Sequence, residues 1–214
     1  MSILPIFSAS FAGFVLFGLF MWNMNVLLFV LLCVLVTIFL YTVEMNVFNF
    51  SHVSGFWLFL LSEVIIFGTL LFCCLYYDIG YYGNLSSPLE LPFLGCFILL
   101  GSSIVATSYH HLIWWEWSWI NLILTIILGS SFVLLQIFEF EEIMVSLYDT
   151  TFHASCFCTV GLHFSHVLLG VIGLITALIV GFDIFGYYRS SVIVWYWHFV
   201  DYVWLFVYTF VYVC

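Results

Sequence analysis

Long, uninterrupted apolar runs are the dominant pattern along this chain. One of them covers residues 51–77 and reads SHVSGFWLFLLSEVIIFGTLLFCCLYY, with Glu63 as the one acidic or basic side chain after His52. As a helix this run would be roughly 40 Å long, which exceeds the roughly 30 Å hydrocarbon core of a bilayer. The pattern therefore predicts a transmembrane helix with a carboxyl group near its middle.

Six further apolar runs bring the predicted number of membrane spans to seven. The predicted spans cover residues 3–22, 26–43, 51–77, 93–115, 119–138, 150–182 and 192–213. They lack the alternation of a transmembrane β-barrel, so helices are the remaining way to satisfy the backbone polar groups inside a bilayer. We therefore predict an all-α, polytopic membrane protein with seven transmembrane helices, of which the first two form a tight hairpin.

The composition excludes several classes of protein. The chain is 66% hydrophobic and 22% aromatic, with a mean hydropathy of +1.29, and a water-soluble domain of this length could not bury so much apolar surface. Arg189 is its one strongly basic residue, which excludes nucleic-acid binding because phosphate neutralisation requires Lys and Arg. The Cys residues have irregular spacing inside apolar runs, so we expect no disulfide framework.

Glu63 is the first candidate for chemistry. A carboxylate near the middle of a bilayer costs roughly 2.5–3.5 kcal/mol even on insertion scales, so it is normally paired, protonated or part of a proton or ligand site. Two interpretations stay open at this stage. Glu63 is either a neutral carboxyl hydrogen-bonded to a neighbouring helix, or a group that takes part in proton transfer.

The remaining polar side chains fall into clusters at or inside the predicted spans. They are His110 and His111, then His153, His163 and His166, then His198 with Asp201, and an acidic stretch with Glu139, Glu141, Glu142 and Asp149. His163 and His166 share a helical face and could ligate a metal with a His of the fourth span. Haem ligation by His153 and His166 would need a second helix with two histidines at the same spacing, and the sequence has no other histidine pair spaced in this way. Histidines hydrogen-bonded between helices are the favoured interpretation, and we predict no metal ligand and no catalytic residue.

The seventh span begins with the segment WYWHFVDYVW. His198 and Asp201 are three residues apart, so their side chains could meet on the helix surface. Trp197, Trp204 and Tyr208 share that face, and Trp and Tyr at the end of a span typically anchor the membrane interface. The pattern favours a structural pairing at the headgroup boundary over catalysis.

A set of sequence motifs carries a resemblance to a known family. They are LSEVIIFG at 61–68, LELPFLGCFILLGSSI at 89–104, SYHHL at 108–112, LLQIFEFEE at 134–142, LYDTTFHASCFCTVGLHFSHVLLGVIG at 147–173 and WYWHFVDYVWLFVY at 195–208. With these motifs in this order, the chain resembles subunit III of the haem–copper oxidases, in its mitochondrial branch. The first 55 residues share with the family the presence of two hydrophobic spans.

The resemblance implies a particular architecture and a set of partners. It implies a two-helix hairpin over residues 1–47 and a five-helix bundle over residues 48–214, with lipid between them. A subunit of this kind holds no cofactor of its own, since haem a and copper are carried by partner subunits. It packs against subunit I and other subunits of complex IV in the mitochondrial inner membrane. It binds phospholipid and supports assembly and proton uptake, while cytochrome c acts on the whole complex.

The resemblance also implies roles for individual residues. Glu63 matches the buried, reactive glutamate of the family and is the proton-related candidate. The structural or lipid-facing polar positions that match are His110, His111, His163, His166, His198, Asp201, Glu139 and Glu142, the last two in the loop between the fifth and sixth spans. A proton-coupled transporter that uses Glu63 and the histidines as a relay is the alternative function.

Two departures from the family pattern concern charge. The family has a basic stretch after its His pair, where this chain has IWWEWSW at 113–119, and its usually basic loop before the last span retains Arg189 alone.

The resemblance would place most acidic residues on the intermembrane-space side. They are Asp78, Glu90, Glu139, Glu141, Glu142 and Asp149. We expect this acidic surface to face a basic electron carrier or a basic accessory subunit.

Overall fold

The computed structural model describes residues 53–78, 80 and 85–213, together with scattered positions between 10 and 37. The chain divides into two compact units, 1–52 and 53–214. In the first unit the described positions 28–30 and 32–37 are helical. Most of the first two predicted spans lies outside the described residues, so the hairpin over residues 1–47 stays a prediction.

The second unit is a bundle of helices. Its elements are α1 (Val53–Tyr77), α2 (Leu91–His111), α3 (Ser118–Glu142), α4 (Thr151–Val180), the single turn α5 (Phe182–Phe185) and α6 (Tyr187–Val207), which continues into a π-helical segment (Tyr208–Val213). No strand occurs among the described residues, which confirms the all-α prediction. Helices α1 to α4 are long and apolar enough to cross a membrane.

Helix α6 lies inside the bundle, because it packs against three of the other long helices. Helices α2 and α3 form the most extensive pair, α4 packs against α1 and α3, and α6 packs against α1, α2 and α4. At one end of the bundle the Trp114 ring, after α2, stacks on Tyr187 at the start of α6. At the other end the Tyr208 hydroxyl donates to the Pro88 carbonyl oxygen, before α2. Helices α2 and α6 therefore run antiparallel to each other.

Local sequence explains where the helices begin and end. The Thr150 side chain accepts a hydrogen bond from the backbone N–H of His153, which caps the start of α4. Gly181 and Gly186 have φ angles of 76° and 80°, in the left-handed region that other residues avoid. These two glycines isolate α5 as a single turn, so the sixth span ends at Val180.

Three predicted boundaries are wrong, and one of them changes the chemistry. Helix α2 ends at His111 rather than at position 115, and α6 begins at Tyr187 rather than at position 192. Helix α3 continues to Glu142 instead of ending at position 138. Glu139 therefore lies in the last turn of α3 and is 1% exposed, so it belongs neither to a loop nor to the acidic surface.

The loop between α3 and α4 is fixed by a local carboxyl group. Asp149 accepts hydrogen bonds from the backbone N–H and the hydroxyl of Ser146, at 2.6 and 3.0 Å. These bonds favour the ionised form and lower the pKa of Asp149 below its usual range. Because the folded-state pKa is depressed, this stabilisation is present at neutral pH and is lost as the pH falls through the acidic range of the carboxyl.

Trp197 occupies the centre of the bundle. Its ring is fully buried, and its Nε1–H donates to the Ser102 hydroxyl of α2 at 2.9 Å. A Cβ atom added to Gly129 of α3 would lie 2.6 Å from the ring, and one added to Gly170 of α4 would lie 2.9 Å from it. Trp197 and Trp204 are thus core residues, and their predicted placement at the membrane interface is wrong.

The fit of Trp197 gives a first testable prediction. Replacing Gly129 by Ala forces the Trp197 ring to move, so the free energy of unfolding should fall by about 1–3 kcal/mol. The measurement is unfolding in mixed micelles by titration with a denaturing detergent. Gly161→Ala is the matched control, because a Cβ there meets nothing within 4 Å. Equal free energies of unfolding for Gly129→Ala and Gly161→Ala would contradict the close packing of Trp197 against Gly129.

Candidate functional site

Glu63 of α1 and His166 of α4 face each other across a helix interface. Glu63 Oε2 and His166 Nε2 lie 2.9 Å apart, and the two side chains are 14% and 11% exposed. His166 Nδ1 also lies 2.8 Å from the carbonyl oxygen of Leu162, one turn earlier on α4. The pair is therefore held close to the surface of the bundle without being open to it.

The geometry fixes the number of protons at this pair. A carbonyl oxygen can only accept a hydrogen bond, so His166 Nδ1 must carry a hydrogen. At Nε2, either a neutral Glu63 carboxyl donates to the ring, or an imidazolium donates to the carboxylate. Both forms leave one shared proton and no net charge at the pair.

The surroundings of the pair are aromatic. The Phe67 ring stands edge-on to His166, with 5.3 Å between ring centroids. The Tyr196 ring of α6 lies parallel to the His166 ring, and its hydroxyl donates to the backbone carbonyl oxygen of His166 at 3.3 Å. These rings exclude water from one side of the pair, which strengthens the Glu63–His166 interaction because the local dielectric constant is low.

His163 and His166 make different contacts despite their spacing. His163 is 1% exposed, and its Nε2–H donates to the carbonyl oxygen of Val200 on α6 at 3.2 Å. Its ring lies between Phe132 and Trp204. The two histidines therefore join α4 to different neighbours. Among the described residues no group of three or more His, Cys, Asp or Glu side chains could hold a metal ion.

A second set of polar contacts lies between α2 and α6. His198 Nδ1 lies 2.7 Å from the Ser103 hydroxyl, and His198 Nε2 lies 3.3 Å from the Thr107 hydroxyl. Nearer the end of α2, His110 Nε2 lies 3.0 Å from the Ser191 hydroxyl, while His111 is exposed. We call these contacts, together with Asp201, the α2–α6 polar seam.

The expected meeting of His198 with Asp201 does not occur. The His198 ring turns towards α2 because two hydroxyl groups there match its two nitrogen atoms. Asp201 is 2% exposed, and neither of its carboxyl oxygens has a hydrogen-bond partner among the described residues. Ser103 and Thr107 were missed from sequence, although their four-residue spacing places both on one face of α2.

Glu139 has partners that sequence reasoning also missed. The Ser86 hydroxyl donates to Glu139 Oε1 at 3.0 Å, and the Gln136 side-chain N–H donates to Oε2 at 2.7 Å. Glu142, one turn later in sequence, is exposed. Glu139 therefore fixes the loop before α2 to the end of α3, and the position of Gln136 three residues earlier was the one available signal.

Taken together, the fold and these contacts define a class of protein. The described unit is a helical bundle of membrane-spanning length in which Glu63, Glu139 and the histidines of α4 contact groups on neighbouring helices or loops. A sequence profile described as Cytochrome c oxidase subunit III matches residues 6–214. The chain therefore belongs to the cytochrome c oxidase subunit III family, which confirms the resemblance seen in the motifs.

Individual relatives agree with the family assignment. The chain is 39% identical over 137 residues to cytochrome c oxidase subunit 3 of Rhipicephalus sanguineus, an alignment that covers 59% of this chain and 52% of that protein. It is 37% identical over 134 residues to cytochrome c oxidase subunit 3 of Loxodonta africana, covering 59% and 51%. For the same subunit of Heterololigo bleekeri the identity is 36% over 136 residues, covering 60% and 52%. The matched region thus spans about half the length of these relatives.

The contact between Glu63 and His166 predicts an energetic coupling. In a double-mutant cycle of Glu63→Gln and His166→Gln, the two changes should be non-additive by about 1 kcal/mol in the free energy of unfolding. Detergent-induced unfolding measures the four proteins of the cycle. A cycle of Glu63→Gln with His198→Gln is the control and should be additive, since His198 contacts α2 instead. Additive changes in the free energy of unfolding in both cycles would show that Glu63 and His166 do not stabilise the fold through their contact.

Proposed function

We propose that this chain is the non-redox core subunit III of a mitochondrial cytochrome c oxidase. The match to the family over residues 6–214 supports this assignment. In this proposal the chain lies in the inner membrane and packs against subunit I and other subunits of complex IV. Haem a and copper belong to the partner subunits, cytochrome c acts on the complex, and this chain supports assembly, lipid binding and proton uptake.

The exposed face of α1 supports a role in packing against lipid or another subunit. Within the unit 53–214, the large apolar side chains of Leu58, Leu61, Ile65 and Phe72 are 55–67% exposed. Apolar surface of this extent on a membrane-spanning helix is stable only against acyl chains or another apolar protein surface. We assign this face to phospholipid and to the neighbouring subunits of the oxidase.

The Glu63–His166 contact is the observation that carries the functional proposal. Its 2.9 Å separation places an acid and a base in direct contact close to the bundle surface. Intramembrane ionisable residues of this kind typically mark proton pathways. We infer that the pair buffers proton supply to the catalytic subunit during oxygen reduction and proton pumping.

Membership of the complex can be tested directly. Native electrophoresis of the source membranes, with in-gel staining for cytochrome c oxidase activity, should give a stained band that contains this chain. Mass spectrometry of the band identifies it together with the haem–copper subunit. If the chain occurs only in bands without oxidase activity, the proposal fails and the proton-coupled transporter becomes the better hypothesis.

The role of Glu63 is tested by Glu63→Gln, which keeps the size of the side chain but removes its titrating group. We expect the complex to assemble and the oxidase to inactivate several-fold faster during turnover, because the local proton store is lost. Glu90→Gln is the matched control, since Glu90 is exposed at the start of α2. Normal assembly with unchanged turnover and inactivation would leave Glu63 a purely structural role.

A further inference from the structure

Four exposed tryptophan side chains lie between the end of α2 and the first turn of α3. Trp114, Trp115, Trp117 and Trp119 are 77%, 58%, 56% and 49% exposed. The segment joins two helices that are long and apolar enough to cross a membrane, so its place is at a bilayer surface. Indole rings suit that region because the ring is apolar and its N–H is polar. We call residues 114–119 the tryptophan loop.

The backbone holds the tryptophan loop in two successive turns. The Trp115 N–H donates to the Leu112 carbonyl oxygen at 2.8 Å, and the Ser118 N–H donates to the Trp115 carbonyl oxygen at 3.1 Å. Just before the loop, the side chain of Ile113 is buried and belongs to the hydrophobic core of the bundle. The loop is therefore anchored, and a ligand that binds its rings does not first have to order the chain.

Contacts with the start of α6 extend this aromatic surface. The Trp114 and Tyr187 rings are stacked, with 5.9 Å between ring centroids and 11° between ring planes. The Phe182 ring stands edge-on to Trp114, at 5.1 Å between centroids. Tyr187 is itself 48% exposed. The tryptophan loop and the first turn of α6 therefore present one aromatic surface at this end of the bundle.

The charge on this surface is negative. Glu116 is exposed in the middle of the tryptophan loop, between Trp115 and Trp117. Arg189, the one strongly basic residue, follows Tyr187 by two positions, and residues at that spacing on a helix do not share a face. The faces of the indole rings also attract cations, through the quadrupole of the π-system. The surface therefore suits a cationic group and disfavours an anionic one.

An exposed apolar stripe of α3 begins directly after the tryptophan loop. Ile120, Leu124 and Ile127 follow one another at spacings of four and three residues, so they share one face of the helix. Their side chains are 43–55% exposed. The stripe continues along α3 away from the loop, so a lipid with its headgroup at the loop can place an acyl chain along it. This combination fits a phospholipid better than a water-soluble ligand.

We propose that the tryptophan loop binds the choline headgroup of a phospholipid. The quaternary ammonium lies over an exposed indole ring, within about 6 Å of the ring centroid, and Glu116 supplies the opposite charge. A quaternary ammonium has no N–H to donate, so ring faces recognise it better than hydrogen-bond acceptors do. This assignment names the lipid class within the lipid-binding role proposed above, and it rests on that proposal for the placement of the chain in a membrane.

Native mass spectrometry of the full chain in mild detergent measures the headgroup preference. The chain is equilibrated with equal amounts of phosphatidylcholine, phosphatidylethanolamine and phosphatidylglycerol with the same acyl chains, and the retained lipids are identified by mass. We expect the choline lipid to be retained roughly two- to fivefold more than either of the others, the range of an exposed cation–π contact. Glu116→Lys should shift the preference towards phosphatidylglycerol, and the double change Trp115→Leu with Trp117→Leu should abolish it.

Two control variants make the outcome specific to the loop. Glu90→Lys makes the same change of charge at an exposed carboxyl before the start of α2, and should leave the preference unchanged. Trp57→Leu removes an indole that is 54% exposed on α1, and should also leave it unchanged. A shift in these controls as large as in the loop variants would place the headgroup elsewhere on the chain.

The remaining outcomes bear on the proposal in different ways. Equal retention of the three lipids by the unchanged chain, or a preference for phosphatidylglycerol, would overturn it. Equal retention of the choline and ethanolamine lipids would overturn the choline assignment. Loss of the preference in the purified oxidase complex would show that a partner subunit covers the loop instead. Because the first measurement uses the chain alone, its result does not depend on whether the chain migrates with oxidase activity.

Discussion

The insertion of one indole ring between helices is the constraint on which the bundle depends. Trp197 can be fully buried only because Gly129 and Gly170 present no side chain to it, and because Ser102 accepts its N–H. Helices in a membrane gain little from the hydrophobic effect, so close packing and interhelical hydrogen bonds hold them together. The position of Trp197 therefore sets how closely α2, α3 and α4 approach α6.

The polar contacts follow from this packing and from the shortage of basic residues. With Arg189 as its one strong base and no Lys, the chain has a single fixed cation among its side chains for 11 acidic residues. Glu63 faces a histidine, Glu139 receives a hydroxyl and an amide, and the buried Asp201 carboxyl has no hydrogen-bond partner among the described residues. Where no fixed cation is available, a proton is the remaining way to neutralise a carboxyl in a low-dielectric environment.

In this member of the cytochrome c oxidase subunit III family, the ionisable side chains inside the bundle lie on different helix interfaces. Glu63 meets His166 between α1 and α4, and His198 of α6 contacts two hydroxyls of α2. The first is close to the surface of the unit, while the Asp201 carboxyl is sealed inside it.

The sequence by itself determined the helical class, the approximate positions of the later spans and the family. Length and hydropathy decide these features, because a bilayer accepts few backbone structures. The sequence also singled out Glu63, His166, His198 and Asp201 as unusual. It could not decide their partners, since spacing along one helix shows which residues share a face but not which neighbouring helix that face meets.

Only the tertiary structure placed Glu139 inside the bundle, moved Trp197 from the interface to the core, and turned His198 away from Asp201 towards two hydroxyls of α2. Helix packing makes these choices because each depends on residues far apart in the chain that meet only once the helices are assembled.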